Sequence, residues 1–299
     1  MILQDTPVEE YRVNTHCVFV KREDLAVVYN DSRLPSLPFP PPFAKVRGLY
    51  EVLIKLKQRG VQTVSYMDTS VSMAGWGISY FCHFLGMKSV IYYPLYKEGL
   101  KGEIEKYSKI CRECGAEVIF LERPNRQKIN FYRAKKLLKL SYPEGVILSQ
   151  GLPFDETVEA VSRQASLLPK TVLGGTIVIN VGSGTMLAGV LKGLCKVRNK
   201  WEVQAVKGIL AAPKNIDIKR KFIFAKAGIL DAKRQQKGLL LFDVVPEVEI
   251  IDYGYEYTQK EEVPVLFPCN IYYDRKAWKW LLDNIEVVKK PILFWNIGG

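Results

Sequence analysis

Histidine is almost missing from this chain: His16 and His83 are the only two among 299 residues. A zinc site would therefore have to come from cysteine. The six cysteines (17, 82, 111, 114, 195 and 269) are scattered, and the lone Cys111-x-x-Cys114 pair has no second pair or nearby histidine to complete it, so no metal site is expected. The same scatter fits no disulfide framework and suits a reduced, cytoplasmic setting. No apolar run approaches the ~20 residues of a membrane span, and the N-terminus lacks a secretory pattern, so no membrane association is expected. Repeats, low-complexity tracts and long linkers are also absent.

Acidic residues are in short supply too, with 43 Lys and Arg against 31 Asp and Glu, a net charge of +12. The excess is uneven. Positions 192–237 hold thirteen Lys/Arg against Glu202, Asp217 and Asp231, and 123–139 is basic as well. Most such runs are solvated surface, but this surplus attracts polyanions and would support salt-dependent contact with nucleic acid.

The chain is 48% hydrophobic, enough for one large core or two lobes. Short β-type runs at 63–67, 89–94, 117–120, 145–148, 176–181 and 203–210 alternate with helical patterns at 74–85, 101–114, 132–140, 154–168 and 186–191. This order predicts an α/β protein with parallel sheets covered on both faces. Two parallel-sheet lobes with a cleft between them are expected, because ligands sit at the carboxyl ends of parallel strands. A proline-rich, extended segment at 35–42 leads into Phe43-Ala44-Lys45.

The loop Gly182-Ser183-Gly184-Thr185 joins the strand at 176–181 to the helix that follows. A glycine-rich turn opening a helix aims unpaired N–H groups and the positive end of the helix dipole at one point, a cradle for phosphate or carboxylate. The Ser183 and Thr185 hydroxyls add donors. A nucleoside triphosphatase would need a lysine in this loop, and there is none. A dinucleotide site would need an acid at the end of the next strand, roughly 20 residues on, whereas Glu202 lies at the start of that strand. Pyridoxal phosphate would need the cradle plus a remote lysine. An ordinary strand-to-helix turn also fits the loop taken alone.

Several blocks carry a resemblance. Val18-Phe19-Val20-Lys21-Arg22-Glu23-Asp24-Leu25 followed by Lys45-Val46-Arg47-Gly48-Leu49 resembles the opening of the fold-type-II, tryptophan-synthase-β-like pyridoxal-phosphate enzymes, nearest the aminocyclopropane-carboxylate deaminase and D-cysteine desulfhydrase branch. Thr69-Ser70-Val71-Ser72-Met73-Ala74-Gly75 is similar to that family's substrate-carboxylate loop, 181–189 to its cofactor-phosphate loop, and Pro291-Ile292-Leu293-Phe294-Trp295-Asn296-Ile297-Gly298-Gly299 to its terminal strand and turn. The blocks span nearly the whole chain in the family's order.

The resemblance implies pyridoxal 5'-phosphate as cofactor, with Lys45 forming the internal aldimine and later shuttling the Cα proton. Gly182, Ser183, Gly184 and Thr185 would hold its phosphate. Ser70 and Ser72 would bind the substrate carboxylate, with Ser72 near the chemistry. Tyr273 would lie over the active site, an ionised Asp274 would pair with the pyridine nitrogen, and Tyr257 would be a second active-site tyrosine. The lobes implied are 1–48 plus 150–299 for the cofactor and 49–149 for the carboxylate loop, in a homodimer. Met73 stands where the family usually carries an asparagine that bonds the cofactor's ring oxygen, and Ala44 replaces the common Asn or Phe before the lysine.

The reaction implied is a deaminase- or lyase-type step at Cα of a small amino-acid-like substrate, through a carbanion. The basic excess and the altered carboxylate loop motivate a second reading, the same chemistry on an amino acid or amine attached to nucleic acid, as in viral hypermodification of pyrimidines. Met73 motivates a third, a non-catalytic cofactor-binding protein.

Overall fold

The computed structural model describes residues 2–28, 40–95, 100–121, 126–196, 205–212, 215–228 and 247–299. Positions 35–39 of the proline-rich stretch, Glu202, the first two residues of the strand expected at 203–210, Arg123 and much of the basic run at 192–237 lie outside the described residues. In chain order the elements are β1 (Ile2–Leu3), β2 (Val8–Val13), β3 (His16–Arg22), β4 (Val27–Val28), α1 (Val46–Gln58), β5 (Thr63–Met67), α2 (Ala74–Phe84), β6 (Lys88–Pro94), α3 (Lys101–Glu113), β7 (Glu117–Leu121), α4 (Gln127–Ser141) and β8 (Val146–Ile147). They continue with α5 (Asp155–Ser166), β9 (Thr176–Val181), α6 (Thr185–Lys196), β10 (Ala205–Leu210), α7 (Ile216–Ala227), β11 (Glu247–Ile251), α8 (Asp274–Asn284) and β12 (Ile292–Asn296). No helix among the described residues is long and apolar enough to cross a membrane.

The chain divides into two compact units, the first built mainly from Leu49–Pro153 and the second from Leu3–Ala26, Pro42–Gly48 and Phe154–Gly299. In the first, four parallel strands run in the order β7-β6-β5-β8, with Thr63 opposite Lys88 and Met67 opposite Tyr92. β6 is buried from Ser89 to Pro94, as expected of a parallel strand with both faces covered. Helix α4 begins five residues before the pattern at 132–140 predicted. Asn130, Ala134 and Leu138, spaced by four, form its buried stripe, which opens on a polar residue, so apolar periodicity marks only the later turns.

The second unit holds six strands in the order β11-β10-β9-β12-β3-β2. All pairs are parallel except β2 with β3, which form a hairpin across a two-residue turn where Asn14 takes φ of 54°. The expected parallel sheet thus carries an antiparallel edge strand. Every residue of β9 is buried. Helices α5 and α6 pack closely because Gly189 and Gly193 lack side chains: a Cβ on either would lie 2.5 Å from Val161 Cβ or 2.3 Å from the Ser162 carbonyl oxygen.

Candidate functional site

Lys45 sits on a short turn between a β-bridge at Phe43 and the start of α1. The turn is held from both sides within the second unit. Phe43 bridges Gly298, the Ala44 N–H donates to the Ile297 carbonyl at 2.8 Å, and the Gly299 N–H donates to the Pro42 carbonyl at 2.9 Å. On the other flank Arg47 Nε donates to buried Glu23 at 3.1 Å. The charged run at the end of β3 is therefore internal scaffolding. Arg22 grips Asp24 through two bonds of 2.9 and 2.7 Å, Asn296 donates to Asp24 at 2.9 Å, and Lys21 donates to the Thr6 carbonyl and Gln164. Each buried charge has a partner, as burial requires. Together they tie β3, the lysine turn and β12 into one frame.

Opposite Lys45 lies the glycine loop. Lys45 Nζ donates to Ser183 Oγ at 3.1 Å, and Ser183 Oγ and Thr185 Oγ1 are 3.0 Å apart. Gly184 takes φ of +95°, the left-handed region that favours glycine, and a Cβ there would also meet Ile223 of α7 at 2.8 Å. A Cβ on Gly182 would meet nothing within 4 Å, so open space lies beside the loop. Lys219, one turn into α7, donates to the carbonyls of Gly182 and Ser183 at 2.9 and 3.1 Å. Its helix is started by Asn215, whose side chain accepts from the Ile218 N–H at 2.9 Å. Burial first, and then the charge of Lys219, push the Lys45 amine down to about 8.

Tyr257 and Tyr273 come together, their hydroxyls 2.8 Å apart. The Tyr273 carbonyl accepts from Asn180 of β9 at 2.7 Å, which sets the start of α8 against the central strand. Asp274 is buried, and its Oδ1 accepts from the Ile297 N–H at 3.0 Å. Burial above all pushes its carboxyl well above the usual carboxylate range, so the ionised form expected from the sequence is disfavoured unless a positive charge faces it.

Ser70, Ser72 and Met73 belong to the first unit, in the loop between β5 and α2. Ser70 is buried, and Ser72 Oγ accepts from the Ala74 N–H at 3.1 Å. The loop is organised by Asp68, which sequence reasoning missed. Its two carboxylate oxygens accept from the Thr69 N–H at 2.8 Å and the Gly75 N–H at 2.7 Å, closing both ends of the loop. Burial raises its pKa to about 7 against the effect of these bonds. An acid directly ahead of a Thr-Ser run that opens a helix was the available signal. Lys219 and Asn180 were also missed. Lys219 looked like one more surface cation, and nothing in the chain marks Asn180 apart from a polar residue inside an apolar strand.

No protein-family model matches the chain. Its fold is that of solved pyridoxal-phosphate enzymes. An aminocyclopropane-carboxylate deaminase homologue superposes with a TM-score of 0.71 at 19% identity, over 99% of this chain and 89% of that one. A hydrogen sulfide-producing enzyme from Fusobacterium nucleatum gives 0.64 at 16% identity, over 99% and 94%. Threonine deaminase isoform 2 from Solanum lycopersicum gives 0.60 at 13%, over 99% and 79%. Among curated proteins, the glycyl-dTMP PLP-dependent decarboxylase of Pseudomonas phage M6 is 33% identical over 306 residues, taking in 100% of both chains. The chain belongs to the fold-type-II family of pyridoxal-phosphate-dependent enzymes.

As a member of this family the chain is a pyridoxal-phosphate-dependent enzyme. The residues present fit the cofactor. Open space at Gly182, the N–H groups at the start of α6 and two hydroxyls form a donor set for a phosphate, the positive charge of Lys219 clasps the loop from behind, and an amine of depressed pKa stands 3.1 Å from Ser183.

Proposed function

We propose that the protein decarboxylates an amino acid attached to a pyrimidine nucleotide, releasing CO2 from Cα and leaving an amine on the base. The observation that carries this is the full-length relationship to a decarboxylase that acts on glycyl-dTMP. In this reading Lys45 holds the cofactor through its amine, and Gly182, Ser183, Gly184 and Thr185 receive the phosphate. The cofactor supplies an electron sink for the pair left on Cα when the carboxylate departs. Lys45, with its pKa at about 8 and so mostly protonated near pH 7, returns a proton to Cα. Tyr273 packs beside the reacting atoms with Tyr257 as its hydroxyl partner, and Asp274 faces the ring nitrogen, whose positive charge would offset the cost of ionising a buried carboxyl. Ser70 and Ser72 orient the substrate, and a homodimer follows from the family resemblance.

The test is incubation of the purified holoprotein with glycyl-dTMP, following CO2 and the product amine by mass spectrometry. Release of CO2 in step with loss of the carboxylate is expected. Ammonia release with the carboxylate retained would replace this reading with the deaminase one.

A further inference from the structure

We propose that the outer face of α4 is a docking surface for the sugar-phosphate backbone of DNA, so that the substrate nucleotide is presented within a polynucleotide. This rests on the nucleotide substrate proposed above and adds the form in which it arrives.

The sequence pointed first to the basic run at 192–237, but the structure answers most of its described lysines with acids. Lys192 and Lys196 pair with Glu159, Lys207 with Glu249, Lys226 with Asp155, and Lys219 is spent on the glycine loop. Helix α4 is different. From 123 to 143 the chain contains seven Lys/Arg and no acid. At 100° per residue, Lys128, Tyr132, Lys135, Lys136 and Lys139 fall within an arc of about 100°. All five are exposed, Tyr132 by 58%, and they lie opposite the buried stripe of Asn130, Ala134 and Leu138.

Among the described residues, no carboxylate lies within ion-pair distance of Lys128, Lys135 or Lys136, although Lys88, Lys101 and Lys109 of the same unit each have one. Leaving neighbouring like charges uncompensated is unfavourable unless an anion answers them. From Lys128 to Lys139 the helix rises ~16 Å. A duplex presents one phosphate charge per ~1.7 Å of axis, so the stripe matches a run of phosphates. Tyr132 in its middle, 58% exposed, offers a ring against which a base can stack. Charge complementarity commits the face to a polyanion. The exposed Ile129 and Leu140 at its edge make a protein partner the competing occupant.

The experiment measures binding of the full-length holoprotein to a fluorescent thymidine-containing duplex by anisotropy, from ~50 to ~200 mM salt. Changing Lys128, Lys135, Lys136 and Lys139 together to Gln should flatten the slope of log K against log salt by about 3 to 4, at ~0.9 per lost phosphate contact. Turnover of free glycyl-dTMP should not change. A control variant with Lys192, Lys196 and Lys226 changed to Gln should keep the wild-type slope. Retained cofactor absorbance shows that each variant is folded.

An unchanged slope in the α4 variant, or equal loss in the control, overturns the proposal. So does a change of sedimentation in the α4 variant with DNA binding intact, which would make the face a protein interface. Turnover of free glycyl-dTMP without any DNA binding by the wild type refutes the docking surface and leaves the proposed reaction standing. Binding of DNA without turnover of any glycyl nucleotide does the reverse.

Discussion

The state of the Lys45 amine is the quantity on which the proposed chemistry depends. An ordinary lysine at 10.5 is ~0.03% neutral at pH 7, whereas at about 8 the neutral fraction is ~9%, a ~300-fold gain in reactive amine. Burial is the larger cause and Lys219 the second, so the two can be separated by Lys219→Met, which keeps the burial and removes the charge. Each unit by which the Lys45 pKa then rises slows capture of the cofactor at pH 7 by ~10-fold, equivalent to ~1.4 kcal/mol. Apo-protein mixed with pyridoxal phosphate in a stopped-flow instrument reports capture as a band near ~420 nm. The wild-type rate is expected to level off near pH 8, and that of Lys219→Met at higher pH. Repeating the series with pyridoxal, which has no phosphate, removes any contribution from weakened phosphate binding. A wild-type rate that still climbs tenfold per pH unit above about pH 9 would refute the reasoning, as would identical profiles for the two proteins with pyridoxal. Lys45→Ala should form no such band.

Other perturbations test the frame around the site. Gly48→Ala places a methyl 2.2 to 2.4 Å from the side-chain oxygen and backbone of Thr157, so backbone must shift, and a loss of about 1 to 3 kcal/mol should lower the melting temperature. Asp68, raised from 3.8 to about 7, binds its proton more tightly when folded, so this group's contribution to stability falls as pH rises from about 4 to about 7, by up to ~4 kcal/mol. Asp68→Asn should remove that slope from denaturation midpoints measured across the same range, and parallel curves would show that the carboxyl is not the source. Asn180→Ala leaves the Tyr273 carbonyl without its 2.7 Å donor, at about 1 to 3 kcal/mol, and should lower kcat while the cofactor band persists. Equal loss of band and turnover would make Asn180 merely structural.

Much of the local structure was legible from the chain. The strands Thr63–Met67 and Thr176–Val181 stand where their apolar runs placed them, and the glycine loop opens α6 as its composition implied. These features depend on neighbours in sequence: alternation, helical period and the freedom of glycine in a turn. Fold class and cofactor were legible because several blocks kept the order of a known family. The antiparallel β2 is not legible in the chain because its hairpin is set by one turn at Asn14, nor is the start of α4, because its first buried contact is a polar asparagine.

Tertiary structure alone decided what the charges do. Lys45 meets Ser183 across 138 residues of chain. Two lysines of identical composition, Lys219 and Lys136, end as a clasp on the glycine loop and an exposed cation. Asp68 and Asp274 become buried carboxyls whose protonation is shifted upward. A sequence specifies which side chains can carry charge, but the energy of a charge is set by the solvent it loses and the partners it gains, and both are fixed only when distant segments pack.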